Sequence, residues 1–199
     1  MRKIFTSTLV FCSVIYLSSC KKDSSDTPIN NNLIGNYTFV SMTANTESTV
    51  ILNDGSTIDK TVTKSNYTTI NNTGTLVIDA NNITSTGLSY SVDTTAMAVF
   101  YEDGELIDSL EIPFTATVPT GSATSEYKLI SSDSLYFPKG SIFVQGNFSQ
   151  SKPVGSKFRL EGNKLYFTGS QEQVVQNSQA GVSMTTTDKA SIVAIYQKQ

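Results

Sequence analysis

The chain has no histidine and no tryptophan, two cysteines, five prolines and, at 16% Asp, Glu, Lys and Arg, few charges. Without imidazole there is no Ser-His-Asp triad, no histidine base and none of the common zinc sites. Both cysteines lie early, at Cys12 and Cys20, so no disulfide framework staples the remainder and its stability must come from burial. No apolar run reaches the roughly 20 residues with which a helix crosses a bilayer. Basic residues are the minority, 14 against 17 acidic for a net −3, and the chain therefore lacks the positive field that nucleic-acid binding needs. Helix is disfavoured almost throughout, because Thr, Ser, Asn, Val and Ile dominate and no helical period appears.

What is present starts with Arg2 and Lys3, followed by an apolar run from Ile4 to Leu17 broken only by Thr6, Ser7, Thr8 and Ser13. A basic n-region, a short apolar h-region and small residues after it read as a secretory signal peptide over residues 1–19. The run ends in Leu17, Ser18, Ser19 and Cys20, which resembles the lipobox of bacterial lipoproteins: aliphatic, small, small, Cys. The resemblance implies a diacylglyceryl group on the Cys20 sulfur, cleavage by the lipoprotein signal peptidase between Ser19 and Cys20, and fatty acylation of the new amino terminus. Several acyl chains, at about 0.8 kcal/mol per buried methylene, hold a protein to its membrane far better than one. Cys12 then leaves with the leader and Cys20 is consumed as a thioether, leaving no free thiol. Losing Arg2 and Lys3 from the 14 basic residues leaves twelve against 17 acidic, a charge of about −5.

Residues 20–32, polar and carrying Pro28 with Ile29 as the single aliphatic residue, read as a lipidated flexible tether. Lys21 directly after the cysteine resembles lipoproteins sent to the outer membrane, and Lys22 with Asp23 resembles the charged surface-export tags of some Gram-negative groups. Residues 33–199 are long enough for one well-filled core and too short for two.

From Leu33 onward the pattern has period two, and its connections are turn sequences. Asn53-Asp54-Gly55-Ser56, Asp79-Ala80-Asn81-Asn82, Glu102-Asp103-Gly104-Glu105 and Glu161-Gly162-Asn163-Lys164 read as hairpin turns. Candidate strands fall near 35–44, 57–70, 74–79, 83–92, 95–102, 105–118, 124–131, 134–137, 141–148, 156–161, 164–168 and 190–197. The clearest alternation puts Leu106, Leu110, Ile112, Phe114, Ala116 and Val118 on one face and Ser109, Glu111, Thr115 and Thr117 on the other. An alternation that long predicts one buried and one wet face. Successive hairpins make an antiparallel meander, which avoids raw edges by closing into a barrel. A membrane-spanning barrel is not expected, since 57–70 and 120–134 are mostly Thr, Ser and Lys.

The opening Leu33-Ile34-Gly35-Asn36-Tyr37-Thr38-Phe39 resembles the first strand of lipocalin-like (calycin) domains, with Gly two residues before a large aromatic. Gly74 to Asp79, Asn163 to Thr168 and Ile192 to Tyr196 resemble the later strands of bacterial lipocalin-like lipoproteins. Two features differ: Tyr37 stands where the family has Trp, and no Arg lies on the last strand to pack across it. The resemblance implies a small barrel over 33–198 whose interior takes an apolar ligand, and Leu88, Tyr90, Leu110 and Phe114 are the residues expected to line it.

The remaining candidates for chemistry have plainer readings. Ser149-Gln150-Ser151-Lys152 matches Ser-x-x-Lys, but it sits in a polar, Pro-flanked stretch with no Lys-Thr-Gly after it. Glu102, Asp103, Glu105 and Asp108 flank a hairpin tip and lack the spacing of a calcium loop, so they read as a solvated turn. Tyr37, Tyr90, Tyr101, Tyr127, Tyr136 and Tyr166 are scattered and read as core and sheet-face tyrosines rather than a sugar-stacking platform. Asp93-Thr94-Thr95, Asp108-Ser109-Leu110 and Asp133-Ser134-Leu135 resemble an O-glycosylation sequon of some envelope-rich bacteria. The expectation is an all-β, non-enzymatic outer-membrane lipoprotein without a cofactor or metal, anchored through its N-terminal lipid and binding a small apolar ligand. The alternative is a cell-surface module that binds a glycan or a protein partner, or supports the envelope.

Overall fold

The computed structural model describes residues 32–141, 153–179 and 181–199. The leader, Cys20 with its Leu17, Ser18 and Ser19 context, nearly all of the tether, Ser149 to Lys152 and nearly all of the candidate strand 141–148 lie outside these residues.

Ten antiparallel strands form one sheet: β1 (Gly35–Asn53), β2 (Ile58–Thr68), β3 (Ile70–Ile78), β4 (Asn82–Glu102), β5 (Glu105–Glu126), β6 (Lys128–Ser131), β7 (Ser134–Phe137), β8 (Val154–Glu161), β9 (Lys164–Gln179) and β10 (Val182–Lys198). All four expected turns connect strands. Their chemistry is local. Asp54 Oδ1 accepts the Ser56 and Thr57 amides at 2.8 and 2.9 Å, and Asp79 Oδ1 accepts those of Asn81 and Asn82 at 2.8 and 2.7 Å. Asp103 and Gly104, with φ of 49° and 87°, take the two positive angles of a two-residue hairpin.

β2 and β3 lie end to end between β1 and β4: β2 pairs the far half of β1 and β3 its first residues, while both pair β4. From β1 the sheet continues through β10, β9, β8 and β7 to β6, and on the other side of β4 lies β5. Only Tyr127 separates β5 from β6. Its amide bonds the Asn81 carbonyl at 2.8 Å and its hydroxyl donates to the Asp79 carbonyl at 2.7 Å, fixing it to the β3–β4 turn.

Several strands are long, 21 residues in β4 and 22 in β5, against about 5–6 in ordinary sheets. Their two ends differ. At one end the sheet folds back on itself, and a single cluster joins Tyr37 and Phe39 on β1, Leu76 and Ile78 on β3, Leu88 and Tyr90 on β4, Phe137 on β7, Phe158 on β8, Phe167 on β9 and Tyr196 on β10. Phe39 and Phe167 pack against Tyr196, with ring centres 5.4 and 6.1 Å apart, spacings at which tilted rings attract. Tyr37 is fully buried, its hydroxyl donates to the Leu33 carbonyl at 2.7 Å, and Lys198 of the last strand lies 5.7 Å from its ring centre. Toward the other end Thr, Ser, Asn and Gln predominate, Phe100, Tyr101 and Phe114 are not buried, and Ala96 and Ala98 are the buried hydrophobic residues there.

Bulges keep the apolar side chains turned inward. On β4, Ile83 and Ser85 are buried, then a register shift between Ser85 and Leu88 moves burial to Leu88, Tyr90 and Val92, as one extra residue must when the side-chain period is two. Gly74 of β3 faces this bulge where no side chain fits. A Cβ there would meet the Leu88 Cα at 2.7 Å, and its φ is +117°.

The structure corrects several expectations. Candidate strands 83–92 and 95–102 are one strand, and β9 and β10 run on from 168 to 179 and back from 190 to 182 through Thr, Gln and Val. Strand 124–131 is divided between β5 and β6 at Tyr127. The long alternation on β5 has no buried face: Leu110 and Phe114 are each 42% exposed. Among the described residues β5 pairs with β4 alone, and no second layer covers it. Leu106 also leaves the face of Leu110. Phe100 pairs Asp108 while Tyr101 pairs Leu106, so Ile107 is an extra residue that turns Leu106 to the other side.

Candidate functional site

Where the packed end gives way to the open sheet, a cavity of about 110 Å³ remains. Met42, Ala44 and Thr46 of β1 line it with Tyr67 of β2, Tyr90 of β4, Val154 to Ser156 of β8, Gly169 to Gln171 of β9, Ala190 and Ile192 of β10, and Ser141. Register explains the space. Gly169 pairs Ile192, Ile192 pairs Ala44, and Ala44 pairs Tyr67, so two small residues alternate with two large ones across four strands. A Cβ on Gly169 would come no closer than 3.8 Å to Ile192, an ordinary contact, which means that the glycine leaves a gap rather than relieving a clash.

The lining contains no carboxylate, amine or guanidinium. Its ionisable groups are two phenols: burial, then the neighbouring Tyr67, pushes Tyr90 up to about 12, and burial raises Tyr67. Both are therefore neutral hydroxyls near pH 7. Among the described residues no hydrogen bond holds either hydroxyl, whereas Ser156 donates to the Thr168 carbonyl at 3.1 Å and Thr46 shares a 2.8 Å bond with Ser65. The site thus offers apolar contact and neutral donors. It holds no paired carboxylates and no activated nucleophile, and no cluster of three metal-ligating acids or thiols occurs among the described residues.

The four residues expected to line a pocket divide. Tyr90 lines the cavity, Leu88 sits beside it in the core, and Leu110 and Phe114 stand exposed on β5 away from it. Sequence reasoning missed Met42, Ala44, Tyr67, Gly169 and Ile192. Small residues at positions 44 and 169 were visible as such, but their alignment across β10 appears only in the register. Glu102, Asp103, Glu105 and Asp108 are exposed as expected, and Asp103 Oδ1 accepts the Ile58 amide at 2.9 Å, joining two hairpin tips. Of the tyrosines, Tyr37, Tyr90 and Tyr127 are buried, while Tyr101, Tyr136 and Tyr166 lie on sheet faces.

The opposite face carries an open trough of about 840 Å³. Across it Glu172, Lys189, Glu47 and Lys64 stand in register on β9, β10, β1 and β2. Lys64 meets Glu47 at 3.1 Å and Lys189 meets Glu172 at 3.7 Å. These pairs are largely solvated, so each contributes little stability, and their alternation leaves the row without net charge.

No family model, curated protein or solved structure matches the chain.

Proposed function

We propose that the chain is a bacterial outer-membrane lipoprotein anchored through acyl groups on Cys20, non-enzymatic, and that its sheet is a lipocalin-like barrel binding a small apolar ligand. The cavity between β1, β2, β8, β9 and β10 is the observation that carries this reading. Two features speak for the barrel. Counting β2 with β3 and β5 with β6 turns the ten strands into a continuous up-and-down course in which β5 and β6, joined at Tyr127, link β4 to β7. Lys198 over the Tyr37 ring supplies a last-strand cation where the family resemblance calls for an Arg across the aromatic of the first strand.

Volume limits the ligand. At about 110 Å³ the cavity is below the roughly 300 Å³ of sites that engulf drug-sized molecules and near the engineered cavity of about 150 Å³ that admits benzene. It therefore takes one ring or a short alkyl end, with the rest of the ligand leaving through the open side, and Tyr67 and Tyr90 hydroxyls donate to a polar atom beside it.

Native mass spectrometry of the full chain purified from its host tests this reading. The expected result is a co-purifying small molecule that is lost from Ala44→Leu, whose longer side chain fills the cavity while circular dichroism stays unchanged. No bound mass, or one retained by Ala44→Leu, refutes it. The same spectra test the anchor: a mature chain that does not begin at an acylated Cys20 removes the lipoprotein assignment. A second reading, a surface that binds a glycan or a protein, draws on a different observation, the exposed Leu110, Ile112 and Phe114 on β5.

A further inference from the structure

We infer that β5 is a docking edge for an extended segment of another protein in which Lys or Arg alternates with large apolar residues. The inference deepens the second reading and rests on it. Among the described residues β5 is hydrogen-bonded on one side only, to β4, so the outward amides and carbonyls of a 22-residue strand are available to an added strand. Leu110, Ile112 and Phe114 pair Ala98, Ala96 and Thr94 and share their face, making a band of exposed apolar side chains that continues the row of buried alanines. Contiguous bands of this kind mark interaction sites more often than isolated surface leucines do.

Charge selects the occupant. No Lys or Arg occurs between Lys64 and Lys128, whereas Glu102, Asp103, Glu105, Asp108, Glu111 and Glu126 lie on or beside β5. A second copy would bring the same cation-free, acidic edge against itself, whereas a basic segment meets it with opposite charge. Pro113 and Pro119 carry no ladder donor, so an added strand of either kind draws its hydrogen bonds from the residues around them. A basic, alternating partner satisfies both faces: its apolar side chains lie beside Leu110, Ile112 and Phe114, and its cations beside Glu111 on the other side.

The test is hydrogen–deuterium exchange of the full chain in detergent with a synthetic alternating Lys-Val peptide and a Glu-Val peptide of the same length. The Lys-Val peptide is expected to slow exchange within residues 108–118, less so at high salt, and the Glu-Val peptide is expected to leave it unchanged. Ile112→Ser combined with Phe114→Ser, at exposed positions that leave the fold intact, should weaken Lys-Val binding by about tenfold, equivalent to about 1.4 kcal/mol. Equal slowing by both peptides overturns the basic partner while keeping edge docking. Slowing of β5 by neither peptide overturns edge docking itself. Protection that rises with protein concentration alone assigns the edge to a second copy and likewise overturns the inference.

Discussion

Phe114 and Phe167 are the same side chain in two settings, and truncating each to alanine measures how far the packed end of the sheet extends. Phe167 is 1% exposed and lies edge-on to Tyr196 at 6.1 Å. Its removal takes a full aromatic out of a closed cluster and leaves a hole, at a cost of about 3–5 kcal/mol. Phe114 is 42% exposed. It keeps somewhat more than half of the roughly 1.5–3 kcal/mol that full burial supplies and leaves no enclosed hole, so its truncation costs about 1 kcal/mol. Urea unfolding of both variants, read as midpoint shifts at constant slope, makes the comparison independent of the extrapolated stability. Equal losses would mean that the inner face of β5 is covered as its alternation predicts, and the open-sheet description would be wrong. A slope that falls in Phe114→Ala alone would show that the far half unfolds separately.

Gly74→Ala should cost more than the roughly 1 kcal/mol typical of a point mutation, since its Cβ would meet the Leu88 backbone at 2.7 Å and its φ is +117°; a melting temperature within a degree or so of wild type would contradict the close approach of β3 and β4. Hydrogen bonds hold three turn carboxylates low: Asp54 to about 2 by the Thr57 amide first, Asp79 by the Asn81 amide first, and Asp133 by the Ser131 hydroxyl first. Because their folded values lie below the unfolded value of about 4, their stabilisation is present above pH 4 and is lost as pH falls through the folded values. Stability should therefore decline between pH 4 and about 2, and less steeply in Asp54→Asn. Buried phenols behave in the opposite sense. Burial first and Tyr67 second raise Tyr90 to about 12, and burial first and Tyr90 second raise Tyr196. Their contribution is intact below the unfolded value of about 10 and is lost as pH rises through the folded values, so phenolate absorbance should lag and then rise together with unfolding rather than as an independent titration.

Much of this molecule was legible residue by residue. The turns at Asp54, Asp79, Asp103 and Gly162 were readable because a carboxylate capping amides two and three residues on, or a glycine taking a positive φ, is a property of a few neighbouring atoms. Period-two alternation gave the strands for the same reason, although it stopped short on β9 and β10, where Thr, Gln and Ser fill both faces and leave no contrast to read. The candidate site was far less legible. Ala44 and Gly169 are unremarkable in the chain and make a cavity only because β10 sets Ile192 between them.

The chain by itself determined an all-β antiparallel fold, four of its hairpin turns and the absence of imidazole chemistry, each fixed by side-chain type or by contacts spanning a few residues. Tertiary structure alone decided which faces are inside. Alternation states that two faces differ, but burial requires another layer opposite, and that depends on strands far away in sequence: Tyr90 has Phe39 and Tyr196 across from it, whereas Leu110 and Phe114, with the same local pattern, face solvent.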